Sequence, residues 1–318
     1  MNASLVMDRG DRARHARRPR RLYIAVFLAP AALIYTALMI VPLVDTLRLA
    51  FLSAPDGRER YAGFANFKAL LTDPQWSEAF WNALKNNTYF LSIHLIVMIP
   101  LGIGLAAFLC LPRLSASGVY RTAFFMPTML SFVIIGFGWK LILSPLWGVT
   151  PSILHALHLD AWFAPYLGSS RDALTALGLI SVWQYTGVPM MLVYASLISI
   201  PDEIIEAAEI DGIVGVAQFF KIKLPLLWPT IGLIAILTFV SNFNSFDLVY
   251  TTQGALAGPD YSTDILGTLL FRTFFGFQLQ LGDPHMGAAI ATAMFAIILA
   301  VVSAYLFLVQ RRLVRHAY

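Results

Sequence analysis

The chain has 318 residues, 58% of them hydrophobic and only 13% charged, about half the charge of an ordinary soluble domain. With a mean hydropathy of +0.71, that shortage of surface charge excludes a water-soluble enzyme. One cysteine, Cys110, excludes an intramolecular disulfide and any multi-cysteine metal site.

Six stretches are long and apolar enough to cross a bilayer as helices: roughly 22–44, 88–111, 122–143, 173–200, 226–250 and 286–309. A spanning helix needs about 20 residues and satisfies its own backbone, whereas barrel strands need only about 10. Ahead of the first stretch, residues 1–21 form a basic leader with seven arginines, predicted to be unstructured. That first stretch is too long for a signal peptide's apolar region. It holds Pro30 and Pro42 rather than a small-residue cleavage site, so it is read as a helix that stays. The following loop, 45–87, carries Phe64, Phe67, Trp76, Phe80 and Trp81. Such aromatics suit either a membrane interface or a docking surface for an outside partner.

His94 in the second stretch has no Asp or Glu in its own span, which reads as a packed, neutral residue; a proton relay is the rival use. Pro127 in the third stretch and Pro189 in the fourth loosen the helix ladder at that depth. Gly136-Phe137-Gly138 reads as helix packing. His155 and His158 have no cysteine or carboxylate beside them to complete a zinc set. The sequence holds neither a Gly-x-Ser-x-Gly nucleophile motif nor a phosphate loop.

Residues 201–225 break the apolar pattern. Five of the eighteen acids fall within 202–211. Pro201 suits the first position of a short helix, Asp202 and Glu203 favour its positive end, and Gly212 suits its stop. Pro225 restarts direction before the next apolar run. Ile204, Ile205 and Ala208 can face one way and Glu206 and Glu209 another, giving a helix too polar to span. It is either a solvated loop or a seat for a partner carrying basic residues. The fifth stretch holds the densest polar set, and Thr238, Asn242 and Ser245 share one helical face. That face serves either helix–helix hydrogen bonding or a wall for a hydroxyl-rich ligand.

Fourteen of the 22 Lys and Arg lie in the leader and on its side of the membrane, and seven on the other. Lys140 sits near the end of its span. Both termini are therefore predicted cytoplasmic. Topology and anionic lipid account for the net charge of +4, leaving no reason to invoke nucleic acid.

Glu206-Ala207-Ala208, Asp211-Gly212, Phe219 and Ile222-Lys223-Leu224-Pro225 resemble, in order and spacing, the "EAA" loop of permease subunits of ATP-binding-cassette importers. Ile213 departs from the pattern, since alanine is usual there. Trp183-Gln184-Tyr185-Thr186-Gly187, the segment from Asn242 to Asp247, and Gly258-Pro259 with Thr263 are similar to the carbohydrate-uptake branch related to the maltose permeases. The likeness covers roughly 22–312.

The resemblance implies an all-α, polytopic fold of about six membrane helices, like a type I importer permease of this class. Residues 22–312 would form one transmembrane domain with a coupling loop at 201–225, followed by a cytoplasmic tail at 313–318. The chain would be half the path of a sugar importer in a bacterial inner membrane, and would itself bind no cofactor. Its implied partners are a second homologous permease, two copies of an ATPase that binds ATP and Mg, and an extracytoplasmic solute-binding protein. It resembles the first of the two paired permeases without the extra N-terminal helices some relatives carry. Glu206 would pair with a basic residue of the ATPase, Ala207 and Ala208 would allow close approach, and Gly212 would provide the turn. Asp211, Leu224 and Pro225 complete that coupling set. Thr128, Phe132, Trp183, Gln184, Gly187, Met190, Thr238, Asn242 and Ser245 are the implied substrate-binding positions. The competing class is a proton-coupled secondary carrier.

Overall fold

The computed structural model of the protein describes residues 17–54, 57–111, 114, 116–159, 164–278 and 281–310. The tail at 313–318 and the first 16 residues of the leader lie outside them. Among the described residues there are up to six apolar crossings, three of them single helices: Val26–Leu49, Pro74–Leu109 and Pro284–Phe307. The other three are bent pairs. Ser117–Met129 meets Phe132–Ile142 at 95°, Ala173–Tyr185 meets Gly187–Ile198 at 42°, and Gly215–Leu226 meets Trp228–Phe243 at 65°.

Helix α1 (Arg17–Tyr35) begins five residues before the expected apolar stretch. Arginine is a good helix former, and Pro19 falls in the first turn, where its missing N–H costs nothing. A π turn, Thr36–Ile40, passes α1 on to α2 (Val41–Leu49). A short hairpin of β1 (Leu52–Ser53) against β2 (Arg60–Tyr61) leads to α3 (Ala65–Thr72). Asn66 Nδ2 fastens that hairpin by donating to the Ala50 and Leu52 carbonyls. Helix α4 (Pro74–Ile93) and α5 (Ile99–Leu109) are joined by a second π turn, His94–Met98.

A proline stands second in the helix after each of these π turns: Pro42 and then Pro100. Proline offers no N–H to the preceding turn and crowds the carbonyl four residues back, and one wider turn relieves both. Pro225 repeats the pattern after a third π turn, Phe219–Lys223.

The third crossing is α6 (Ser117–Phe125) and α7 (Phe132–Ile142), parted by a 3₁₀ turn at Met126–Met129 and two extended residues. Ser131 restarts the helix by accepting from the Val133 N–H. Gly136 of α7 lies so close to Thr251 that any Cβ would displace it, which fits the packing role expected for that glycine. Helix α8 (Val149–Ala156) follows, then α9 (Ala173–Tyr185) and α10 (Gly187–Ile198). Helix α11 (Asp202–Ile210) and α12 (Gly215–Gln218) lead through α13 (Leu224–Leu226) into α14 (Trp228–Phe243). The fifth stretch does not run on to 250 as one helix. It breaks at 244–246 and restarts as α15 (Asp247–Gln253).

The end of the bundle that bears the start of α4 is covered by a cap with its own core. Phe80, Leu70, Leu266, Leu269 and Met286 are buried there, joining α3, α4, α16 (Leu266–Phe275) and α17 (Pro284–Ala304). Phe67 and Trp76 pack against this core, and Phe51, Phe64 and Phe67 form a ring cluster with centroids 5.3–6.0 Å apart. Most aromatics of the 45–87 loop thus build the cap; Phe64 and Trp81 remain largely exposed.

Three asparagines on α4 pin the segment ahead of α16. Asn82 donates to Tyr261 O, and Asn86 to Ser262 O and Asp264 O. Asn87, fully buried, donates to Asn242 O at 2.9 Å and accepts from Leu266 N at 2.7 Å. Asn87→Leu strands the Leu266 N–H and the Asn242 carbonyl, and is expected to cost about 1–3 kcal/mol. A lower midpoint of thermal unfolding in detergent is the measurement, and an unchanged midpoint would refute the clamp. Below this clamp, Arg272 and Asp264 form a buried ion pair at 2.6 Å. Burial pushes the Asp264 carboxyl up from its ordinary range, while the Arg272 guanidinium and Thr268 hydroxyl pull it back.

Candidate functional site

A cavity of about 410 Å³ opens where the π turn after α4, the end of α9 and the break between α14 and α15 converge. Its walls are mixed. Phe90, Phe132, Tyr185 and Phe246 supply aromatic faces, and Thr238, Ser241, Asn242, Asn244, Ser245 and Asp247 supply polar groups. Few polar atoms over a largely apolar lining is the usual make-up of a small-molecule site.

The polar side is built by the break in the fifth stretch. Helix α14 ends at Phe243, and Ser245 N reaches back to Asn242 O at 3.1 Å. Gly267 of α16 abuts the Ser245 carbonyl too closely for any side chain, which lets the break lie against the cap. Thr238 and Asn242 share a helical face as expected, with Asn242 Nδ2 donating to Thr238 O at 2.9 Å. Ser245 reaches the same cavity from beyond the helix end, so the single-helix face expected for all three residues is corrected. The buried Oδ1 of Asn242 has no hydrogen-bond partner.

His94 also lines this cavity. Its Nδ1 lies 2.8 Å from Phe90 O and its Nε2 2.9 Å from Ser181 Oγ. A carbonyl can only accept, so Nδ1 carries a proton, and in the neutral ring Nε2 accepts from the serine. Both nitrogens are engaged, the arrangement expected of a packed, neutral histidine. Ser181 and Tyr185 are wall residues that reading by motif missed; the polar spacing from Ser181 to Tyr185, one helical turn, was the available signal.

The other expected substrate positions lie apart from this cavity, except Phe132, which lines it with its ring 5.9 Å from Tyr185. Thr128 donates to Gln184 O at 3.0 Å, and Gln184 Nε2 donates to Leu130 O at 3.3 Å. These two bonds stitch α9 to the broken third crossing, and the second gives the freed Leu130 carbonyl the partner it needs at membrane depth. At Gly187 a Cβ would come within 2.8 Å of Phe124 O and the Phe125 Cα, so glycine permits the close approach of α10. Met190 is fully buried in a second core with Ile99, Val193 and Leu227. Trp183 is 45% exposed and meets Trp139 edge-on at 5.6 Å, on a side away from the cavity. A motif fixes position along a helix but not which way the side chain points.

The 201–225 segment has the local form expected of it. Asp202 and Glu203 occupy the first turn of α11. Gly212 takes φ +75, with its N–H on Glu209 O at 3.0 Å and Ile213 N on Ala208 O at 2.8 Å. Those two bonds make a Schellman stop, which favours glycine at the left-handed position and an apolar residue after it. Ile213, the departure from the motif, fills that apolar position. Ala208 is buried, whereas Glu206, Ala207, Asp211 and Gly212 are exposed. Leu224 and Pro225 open α13 after the π turn. Ile210 is 87% exposed, and Val214, Val216 and Phe220 are also exposed, so acidic and apolar groups stand together on a surface that the described residues leave uncovered.

Residues 80–317 match the family model described as "Binding-protein-dependent transport system inner membrane component". The lactose transport system permease protein of Rhizobium radiobacter is 30% identical over 276 residues, covering 87% of this chain and 89% of that one. The sulfoquinovosyl glycerol transport system permease protein of Agrobacterium fabrum is 29% identical over 303 residues, covering 92% of each. In fold, the chain is similar to a crystal structure of a bacterial transporter of the ATP-binding-cassette class involved in import of the acidic polysaccharide alginate. The TM-score is 0.72 at 22% identity, covering 89% of this chain and 93% of that one. The chain belongs to the family of binding-protein-dependent transport system inner membrane components: it is a multi-pass transport permease subunit, not an enzyme.

Proposed function

We propose that this member of the family is one of two permease subunits of an ATP-driven sugar importer in a bacterial inner membrane, forming half of its translocation path. Its relatives transport lactose, starch degradation products and arabinooligosaccharides by name, which supports sugar as the cargo. A second, homologous permease completes the path, and an extracytoplasmic binding protein delivers the ligand. Two copies of an ATPase hold ATP and Mg in the cytosol. Both termini of this chain are cytoplasmic, as the Lys and Arg bias favours.

The observation that carries the reading is the uncovered surface of 202–225. Glu206 pairs with a basic residue of the ATPase while Ala207 and Ala208 admit its close approach. Asp211 and Gly212 end the helix at the contact, and Leu224 with Pro225 ties the seat to α14. On this reading Phe132, Thr238, Asn242 and Ser245 touch sugar within the cavity. Thr128, Gln184 and Gly187 support its wall from behind, and Trp183 and Met190 act by packing.

Vesicles holding the assembled transporter test the mechanism. Uptake is expected to require ATP and to persist after an uncoupler collapses the proton gradient. Gradient-driven uptake without nucleotide would instead select the proton-coupled carrier, which the fully engaged ring of His94 disfavours. Asn242→Ala is expected to weaken transport roughly tenfold, the worth of one hydrogen bond to a ligand, with ATPase coupling intact. Unaltered uptake kinetics would remove Asn242 from the wall.

A further inference from the structure

Two acceptors of the cavity stand unpaired among the described residues. Asn242 is 4% exposed, its Nδ2 is spent on Thr238 O, and its Oδ1 is left without a partner. The carboxylate of Asp247, which also lines the cavity, has no hydrogen bond or ion pair among the described residues. Both are acceptors awaiting a donor. His94 adds no free donor, because both its nitrogens are engaged. The hydroxyls of Tyr185, Ser241 and Ser245 can donate to neutral and anionic ligands alike, so charge is what distinguishes the two. None of the described residues lining the cavity is a lysine or arginine.

A ligand's ionised carboxylate, sulfate or phosphate brings only acceptors. It would meet no lysine or arginine among the described lining residues to offset it, and one exposed carboxylate, that of Asp247, to repel it. An uncharged saccharide brings hydroxyl hydrogens, which both waiting acceptors can take, and apolar ring faces for Phe132 and Tyr185. We infer that the cavity admits uncharged, hydroxyl-rich ligands and turns anionic ones away, with Asp247 the residue that sets this preference. The inference rests on the reading of the chain as a sugar permease and narrows it, excluding sugar acids and polyol phosphates.

The assembled importer in vesicles, with its binding protein outside and ATP inside, provides the test. The probes are matched pairs: maltose with maltobionate, lactose with lactobionate, glycerol with glycerol 3-phosphate. In wild type the anionic member of a pair is expected to accumulate at least tenfold more slowly than its neutral counterpart. Asp247→Lys is then compared using the same binding protein, so that a change in the anion-to-neutral ratio arises in the permease. That ratio is expected to rise at least tenfold, with Asp247→Asn intermediate. Equal uptake of both members by wild type, or a ratio moved by neither substitution, overturns the inference. The expected ratios without any need for ATP would overturn only the ATP-driven reading. Accumulation of no probe at all would overturn the sugar reading, and the charge preference with it.

Discussion

Replacing Arg272 by leucine is expected to destabilise the protein by about 3–5 kcal/mol, the cost of leaving one member of a buried ion pair uncompensated. Arg272 is 4% exposed and Asp264 1% exposed. The guanidinium donates to both Asp264 oxygens, at 2.6 and 3.3 Å, and to Ala255 O at 3.0 Å, and lies 4.8 Å from the Tyr261 ring centre. It therefore holds a segment with strained backbone, since Ala257, Asp260 and Tyr261 all take left-handed φ values of 51–54°. Removing the guanidinium leaves that strain opposed by Thr263, Ser170 and the α4 asparagines. The check is thermal unfolding in detergent, comparing Arg272→Leu with the double variant Arg272→Leu, Asp264→Leu. The double variant is expected to recover part of the loss because no charge is then stranded. If the single variant melts with wild type, the pair does not hold the cap.

Glu206→Lys is expected to abolish ATP-driven uptake and ligand-stimulated ATP hydrolysis while leaving insertion and unfolding unchanged. The side chain is exposed and makes no hydrogen bond or ion pair among the described residues, so its loss costs this chain nothing. Reversing the charge opposite a basic partner group is expected to weaken docking by about 2–5 kcal/mol. Co-purification of the ATPase and its stimulated rate are the two readouts, and wild-type values for both would refute the role of Glu206. Gly212→Val is expected to act in the same direction through shape. A β-branched residue at φ +75 is strained by about 1–2 kcal/mol, which loosens the Schellman stop and displaces the end of α11.

Hydropathy made all six crossings legible because the sum over a window depends only on composition. It is blind to direction, so two crossings that read as straight stretches bend by 95° and 42°, and the fifth is set at 65° to the segment that enters it. The prolines were visible, but their consequences divide. Pro42, Pro100 and Pro225 each sit after a π turn that keeps the chain turning, whereas Pro127 sits in a 3₁₀ turn that ends in extended backbone. Nothing within the turn distinguishes the two outcomes; Gln184, arriving from α9, supports the extended break by donating to Leu130 O and accepting from Thr128 of the turn. The stop at Gly212 was legible because a left-handed position selects its own residue. Of the cavity's lining, Thr238 and Asn242 were legible because one helical period links them on α14, and Phe132 and Ser245 were legible from the motifs. Asn82, Asn86 and Asn87 escaped notice because their partners lie 155 to 179 residues away, at 242 and 261–266.

Pro74–Leu109 is a single helix of 36 residues, about 54 Å long, in a bilayer core of about 30 Å. The surplus stands within the cap. Around it, three crossings are jointed, and it is not. A tilt imposed on the cap therefore has no elbow in this helix at which to dissipate. It must swing the far end as a tiller swings a rudder, while the jointed crossings give way around the cavity.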